Sequence, residues 1–229
     1  MEEYNSREKA DLLKYIEEQF GKVELQLLDR HPGQIRVDIG VIPPKAGRNY
    51  YTLVTMGVGA HEMNTPAELE EYRLQRAELV MCLPYYWQLG NADQSWIWPV
   101  ELMRQIALHA LEPEEWLGWG YYVKDSRSFA DNTKLCGAIL YDAECFEDYP
   151  DGEDPEGDFE EAPEGELEED DLEDQSMCIL DGNKVVNFYQ IMPLMPAELG
   201  FLETHEPEEL LSELGEVSFV VNPVRGPGV

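Results

Sequence analysis

The chain has 229 residues, 43% of them hydrophobic and 10% aromatic, enough to bury a substantial core in one large domain or two small ones. Its net charge is -32, and 17 Asp and Glu with no Lys or Arg fall within residues 147–176; without that segment the other 199 residues still carry -15. Like charge repels nucleic-acid phosphates and anionic membrane surfaces, which argues against both partners and leaves a basic protein, or solubility alone, as what the charge serves.

Taken in order, the chain opens with a helix. Asn5 and Glu8 have capping-box spacing, Leu12, Leu13, Ile16 and Phe20 form an apolar stripe, and Gly21 closes the end. Val23, Leu25 and Leu27 alternate with polar residues, and Ile35, Val37, Ile39 and Val41 do so again before Pro43 and Pro44. Two alternating strands around an Asp29-to-Gly33 turn predict an antiparallel pair. Residues 50–56 then form an uncharged run rich in β-branched and aromatic side chains, which reads as a strand buried on both faces. Gly57 and Gly59 end it, where the backbone needs positive φ or a close approach.

A short apolar strand follows at Leu79 to Leu83, stopped by Pro84, and Asn91 to Gln94 reads as loop. Pro99 sits where a helix N1 residue would, so a second helix is expected from there to about Leu111, with Leu102, Met103, Ile106, Leu108 and Leu111 inward. Residues 121–123 and 138–141 read as strands. Residues 147–176, with their 17 acids and three prolines, read as a solvated, disordered insertion. Two strands flanking Asp181-Gly182-Asn183 predict a hairpin. Helices near 197–201 and 207–214, a closing strand at 217–221 and a loose tail at 223–229 complete the chain. Strands and crossover helices do not alternate regularly. The expected class is therefore α+β, a mixed, mostly antiparallel sheet with packed helices, in a single domain over 1–229.

Catalytic and cofactor motifs do not assemble. His61-Glu62 lacks the second His of a zinc helix, and His31, His109 and His205 read as exposed or hydrogen-bonded structural residues. Gly57-x-Gly59 and Gly118-x-Gly120 lack the third glycine of a dinucleotide loop, and the acidic segment fails the EF-hand spacing. No catalytic residue, cofactor or metal is assigned. Cys82, Cys136, Cys145 and Cys178 have no C-x-x-C spacing and read as free core thiols. The N-terminus lacks a secretory signal, and no apolar run approaches the roughly 18 residues of a membrane span, so a cytoplasmic protein is expected.

All five tryptophans, Trp87, Trp96, Trp98, Trp116 and Trp119, lie between residues 87 and 119, with Tyr85, Tyr86, Tyr121 and Tyr122 around them. One reading is core. The other is a binding surface anchored by Trp116, Trp119, Tyr121 and Tyr122, since such anchors often cost about 2 kcal/mol or more when truncated at interfaces.

Several segments together resemble the suppressor of fused domain family. Tyr50-Tyr-Thr-Leu-Val-Thr-Met-Gly57 is similar to its central strand, and Arg76-Ala-Glu-Leu-Val-Met-Cys-Leu-Pro84 to its Ala-Glu-Leu strand. Trp98-Pro-Val-Glu-Leu-Met103 resembles its Trp-Pro-x-Glu-Leu-Met helix start, and Trp116-Leu-Gly-Trp-Gly120 its Gly-Trp-Gly stretch. Val185 to Pro193, followed by Glu198-Leu199, is similar to its Phe-x-Gln-Ile strand and next helix. The resemblance implies a non-catalytic domain that binds an extended peptide. Through single-domain prokaryotic relatives, it also implies an immunity protein neutralising a polymorphic toxin, here a basic one. The Tyr and Asp that hold the peptide in the animal proteins correspond to His109 and Tyr121, so that site is not carried over. A regulatory adaptor acting through the acidic segment, or a carboxylate-using hydrolase, stands as the alternative.

Overall fold

The computed structural model describes residues 2–143, 177–181, 184–215 and 219–229. The acidic insertion at 147–176, Cys145 and the Gly182-Asn183 turn lie outside the described residues. Helix α1 (Ser6–Gln19) begins with the expected capping box: the Asn5 side chain accepts from the Arg7 and Glu8 amides, and Glu8 accepts from the Asn5 amide. These contacts satisfy backbone donors that the first helical turn would otherwise leave unpaired.

Eight strands form one mixed sheet: β1 (Leu25–Leu27), β2 (Asp38–Ile42), β3 (Tyr50–Met56), β4 (Ala77–Pro84), β5 (Tyr122–Lys124), β6 (Gly137–Asp142), β7 (Met177–Leu180) and β8 (Lys184–Leu194). The order is β1-β2-β3-β4-β8-β6-β5, with β7 also paired to β8. Among the described strands β4 and β8 run parallel and the other strand pairings are antiparallel. β7 and β6 lie end to end along one side of β8. Asp142 pairs with Tyr189 and Met177 with Asn187, so the chain leaves and rejoins the sheet two residues apart.

Alternation along the strands sorts the core onto two faces. Leu53, Leu79, Met81 and Ile191 pack with Leu102, Met103 and Ile106 of helix α2 (Gln94–His109). Val54, Val80, Val186 and Phe188 pack on the opposite face with Leu12, Ile16 and Phe20 of α1. Ile139, Met192 and Leu194 meet Leu199 and Leu210, from α3 (Pro196–Phe201) and α4 (Pro207–Glu213).

On the α1 face the β3–β4 pair carries a buried carboxylate. Glu78 accepts from Tyr4 Oη at 2.9 Å, Thr55 Oγ1 at 2.6 Å and the amides of Gly57 and Gly59 at 2.8 and 3.2 Å. This explains the glycines. Gly57 has φ 152°, and a Cβ there would lie 1.9 Å from the Arg36 carbonyl oxygen; one on Gly59 would lie 2.4 Å from Tyr4 Oη.

Several expectations need correction. Helix α2 starts at Gln94 with Asp93 as N-cap, a turn before Pro99, which sits inside the helix. Proline's missing N–H leaves the Ser95 carbonyl without its helical donor, and the Asn132 side-chain amide fills that place at 3.3 Å. Leu108 faces solvent rather than the core. Residues 217 and 218 of the expected closing strand lie outside the described residues, and its described part pairs through the bridge of Val220 with Cys82. The tail expected to be loose sends Arg225 and the Gly228 amide to the buried Glu198. Cys82, Cys136 and Cys178 are free and buried. Burial pushes the thiols of Cys82 and Cys178 up to about 12. Among the described residues no helix is long and apolar enough to cross a membrane.

Candidate functional site

At the β5 edge of the sheet a cleft opens between α2, β5 and the loop that follows β5. It has two connected parts that share Leu102, Gln105, Asp125 and Phe129 as walls. The smaller, about 290 Å³, lies beside β5 and holds His109, Glu115, Tyr121 and Tyr122. The larger, about 930 Å³, lies beside the first half of α2.

The smaller part is shaped by the turn between α2 and β5. His109 is the last residue of α2. The chain doubles back through Leu117, whose amide meets Met63 Sδ at 3.2 Å, and through Gly120, which has φ 77°. A Cβ on Gly120 would approach Pro207 to 3.1 Å. The Gly120 amide then joins the Leu140 carbonyl at 2.8 Å, which brings Tyr121 back against His109.

There three side chains converge. Tyr121 Oη donates to Glu115 Oε2 at 2.5 Å, and His109 Nδ1 lies 2.8 Å from both that oxygen and Tyr121 Oη. The hydrogen bonds from Tyr121 and then His109 hold the Glu115 carboxyl below its ordinary range, against the opposing effect of burial. An ionised carboxylate only accepts, so Nδ1 carries a hydrogen toward it. Burial, then the hydrogen bond to Glu115 and that residue's charge, push the Tyr121 phenol well up. The triad therefore locks the end of α2 to the start of β5. Its members bond to one another, and no serine, threonine or cysteine hydroxyl or thiol hydrogen-bonds to any of them among the described residues. The second oxygen, Glu115 Oε1, has no partner among the described residues, so it can accept a donor from outside.

Of the four aromatic residues singled out in the sequence, Tyr121 and Tyr122 line this cleft, and Trp116 and Trp119 do not. Trp116 packs against the α2-side core, whereas Trp119 is exposed. Trp87 and Trp98 are buried, and Trp96 packs on the same core, so most of the tryptophan cluster is structural. The sequence reading takes His109 only as a hydrogen-bonded structural residue, which its contacts with Glu115 and Tyr121 match, whereas Glu115 and the acidic residues of the larger part escape it. His109 and Tyr121 are twelve residues apart across an irregular turn, and no spacing rule links them.

The Suppressor of fused protein (SUFU) family profile matches residues 33–226, and the chain belongs to that family. Solved structures agree in fold. A SUFU homolog from Neisseria gonorrhoeae is 14% identical over 98% of each chain, with a TM-score of 0.59. The Sufu–Fu complex is 14% identical with a TM-score of 0.60, covering 97% of this chain and 92% of the other. Drosophila Suppressor of Fused is 15% identical with a TM-score of 0.56; the match spans 95% of this chain and 49% of the fly protein. No curated protein sequence matches significantly.

Proposed function

We propose that this chain is a non-catalytic protein-binding domain that grips an extended, basic stretch of a partner polypeptide, and that it neutralises a toxin in doing so. The observation that carries the reading is the open side of β5. That strand pairs only with β6 among the described strands, and its exposed Tyr122 and Lys124 border the cleft. An edge strand offers unpaired backbone groups to an incoming strand, and alternate side-chain pockets supply selectivity. A net charge of -32 favours a basic partner. Exposed ion pairs contribute about 0–1 kcal/mol each, so charge mainly speeds encounter while the backbone ladder and Tyr121 and Tyr122 hold the complex. A structural neighbour is itself a complex of two proteins, Sufu with Fu.

The test begins with the product of the adjacent gene, co-expressed with this chain, purified and titrated against it. A stoichiometric complex, growth arrest by the partner alone and rescue on co-expression are expected. Tyr121→Phe removes a donor to Glu115 and should weaken the complex about 3- to 10-fold. Failure to form a complex with any basic protein from the native cells would overturn the reading.

A further inference from the structure

Glu115 sits on a stretch that neither a helix nor a strand supports. Glu112, Pro113 and Glu114 before it are all exposed. The local backbone contacts are turn bonds, from the Glu112 amide to the His109 carbonyl at 3.1 Å and from the Glu115 amide to the Glu112 carbonyl at 3.2 Å. Yet Glu115 Oε2 lies 2.5 Å from Tyr121 Oη and 2.8 Å from His109 Nδ1, a geometry that tolerates a displacement of only about 0.5 Å. An irregular turn holds such a position only when it is fixed from outside.

Two adjacent residues of a remote segment supply that fixing. Asn64 Nδ2 donates to the Pro113 carbonyl at 2.9 Å, two residues before Glu115, and Met63 Sδ accepts from the Leu117 amide at 3.2 Å, two residues after it. Among the described residues, these are the hydrogen bonds that tie the backbone from Glu112 to Trp119 to segments beyond α2 and the turn itself. Leu117 is also buried and Trp116 packs on the core, so packing helps to hold the far side of Glu115. The near side, exposed throughout, depends on Asn64. The brace is itself anchored, because Met63 is buried in the α2-side core and its amide donates to the Gln75 carbonyl at 2.7 Å. A thioether is a weak acceptor, and without it the buried Leu117 N–H would have to move to find another partner.

We propose that Met63 and Asn64 are positioning residues for the Glu115 carboxylate, which they set in place without lining either part of the cleft. With the backbone pinned two residues to either side, Oε2 stays on Tyr121 and His109 and Oε1 is left for a donor on the partner. Loosening the brace therefore weakens the complex, a consequence that rests on the proposed protein-binding role. The placement of Glu115 does not rest on that role and is read separately.

The experiment compares the full chain with Asn64→Ala, Met63→Leu and the double variant, each shown by thermal melting to be folded at the lowest pH used. Met63→Leu keeps the side-chain volume and Asn64 is exposed, so both changes are compatible with folding. The side-chain carboxyl carbon of Glu115 is titrated by NMR through the acid range and assigned from its loss in Glu115→Gln. Its wild-type midpoint lies below the ordinary carboxyl value because Tyr121 and His109 donate to it. Expected is a midpoint that rises toward the ordinary value in each single variant and further in the double one. Leu12→Ala, which weakens the core on the opposite face of the sheet, should leave it in place. The double variant should also bind the partner about 3- to 10-fold more weakly. An unmoved midpoint in the double variant, an equal rise in Leu12→Ala, or a raised midpoint with undiminished partner affinity would each overturn the proposal. Should wild type bind no partner while the midpoint still rises, the positioning stands and the binding role falls. If wild type binds and the double variant keeps both midpoint and affinity, the positioning falls and the role stands.

Discussion

Arg225 clasps Glu198 with both guanidinium nitrogens, Nη1 to Oε1 at 2.5 Å and Nη2 to Oε2 at 2.7 Å, and Glu198 is wholly buried. The Gly228 amide adds 2.8 Å to the same carboxylate, and the Met195 amide adds 2.7 Å from the start of α3. Burial alone would raise the carboxyl's pKa, but Arg225 and these amides outweigh it and the net shift is downward. The folded state therefore holds fewer protons than the unfolded chain as pH falls below about 4.5, the ordinary value for Glu. Stability from this contact is complete above that pH and is lost as pH drops through the folded value. Arg225→Ala should cost about 3–5 kcal/mol at pH 7, because it strands a buried charge, and less at pH 3. Urea unfolding at the two pH values checks this; an equal loss at both would contradict it.

Gly57 lies where Arg36 leaves no room for a side chain. With φ 152° and a Cβ that would sit 1.9 Å from the Arg36 carbonyl oxygen, Gly57→Ala must displace the backbone leading into β2 and the Glu78 cradle together. A loss of more than about 2 kcal/mol is expected. Gly33 has nothing within 4 Å of the equivalent position, so Gly33→Ala should change stability by about 0.5 kcal/mol or less. Chemical denaturation of the two variants side by side reads the difference.

Much of this architecture was legible in the sequence because local rules decide it. The Asn5–Glu8 box and the uncharged run at Tyr50–Met56 each act over a few residues. The start of α2 was not legible. Pro99 is a good N1 residue, and only tertiary contact reveals that Asn132, 37 residues away, fills the gap it leaves in the helix. The tail was misread for the same reason: Pro, Gly and Val spacing near Arg225 looks like loop, and what fixes it is a carboxylate 27 residues earlier. The site was partly visible through Tyr121 and Tyr122. Its charged members come from α2, a turn and a loop, so no single window of sequence contains them.

Glu78 titrates in the opposite sense to Glu198. Burial raises its pKa more than the hydrogen bonds from Thr55, Gly57, Tyr4 and Gly59 lower it. Between about 4.5 and its folded value the native state holds a proton that the unfolded chain has released, so this residue's contribution to stability declines as pH rises through that window. Tyr4→Phe removes one donor from the ionised form, which should raise the folded pKa further. It should cost about 1–3 kcal/mol at neutral pH and less near pH 4. Denaturation midpoints of wild type and Tyr4→Phe across pH 4–8 would diverge with rising pH. Parallel curves would show that Glu78 does not feel the phenol.

The acidic segment can be removed without disturbing the sheet, because its two ends are held independently. Asp142 pairs with Tyr189 and Met177 with Asn187, so the ends rejoin β8 two residues apart, a gap of about 7 Å. A short flexible linker spans that distance. Loop-closure entropy changes only slowly with length, and shortening the connection should slightly favour folding. Replacing residues 147–176 with a Gly-Ser linker should therefore leave stability within about 1 kcal/mol of wild type or raise it. The net charge would fall from -32 to -15. If charge mainly speeds encounter, the truncated chain should bind its basic partner with a slower on-rate, less salt dependence and a nearly unchanged off-rate. Stopped-flow association at low and high salt separates these. A large rise in off-rate would instead place the holding contacts in the acidic segment itself, as the adaptor reading requires.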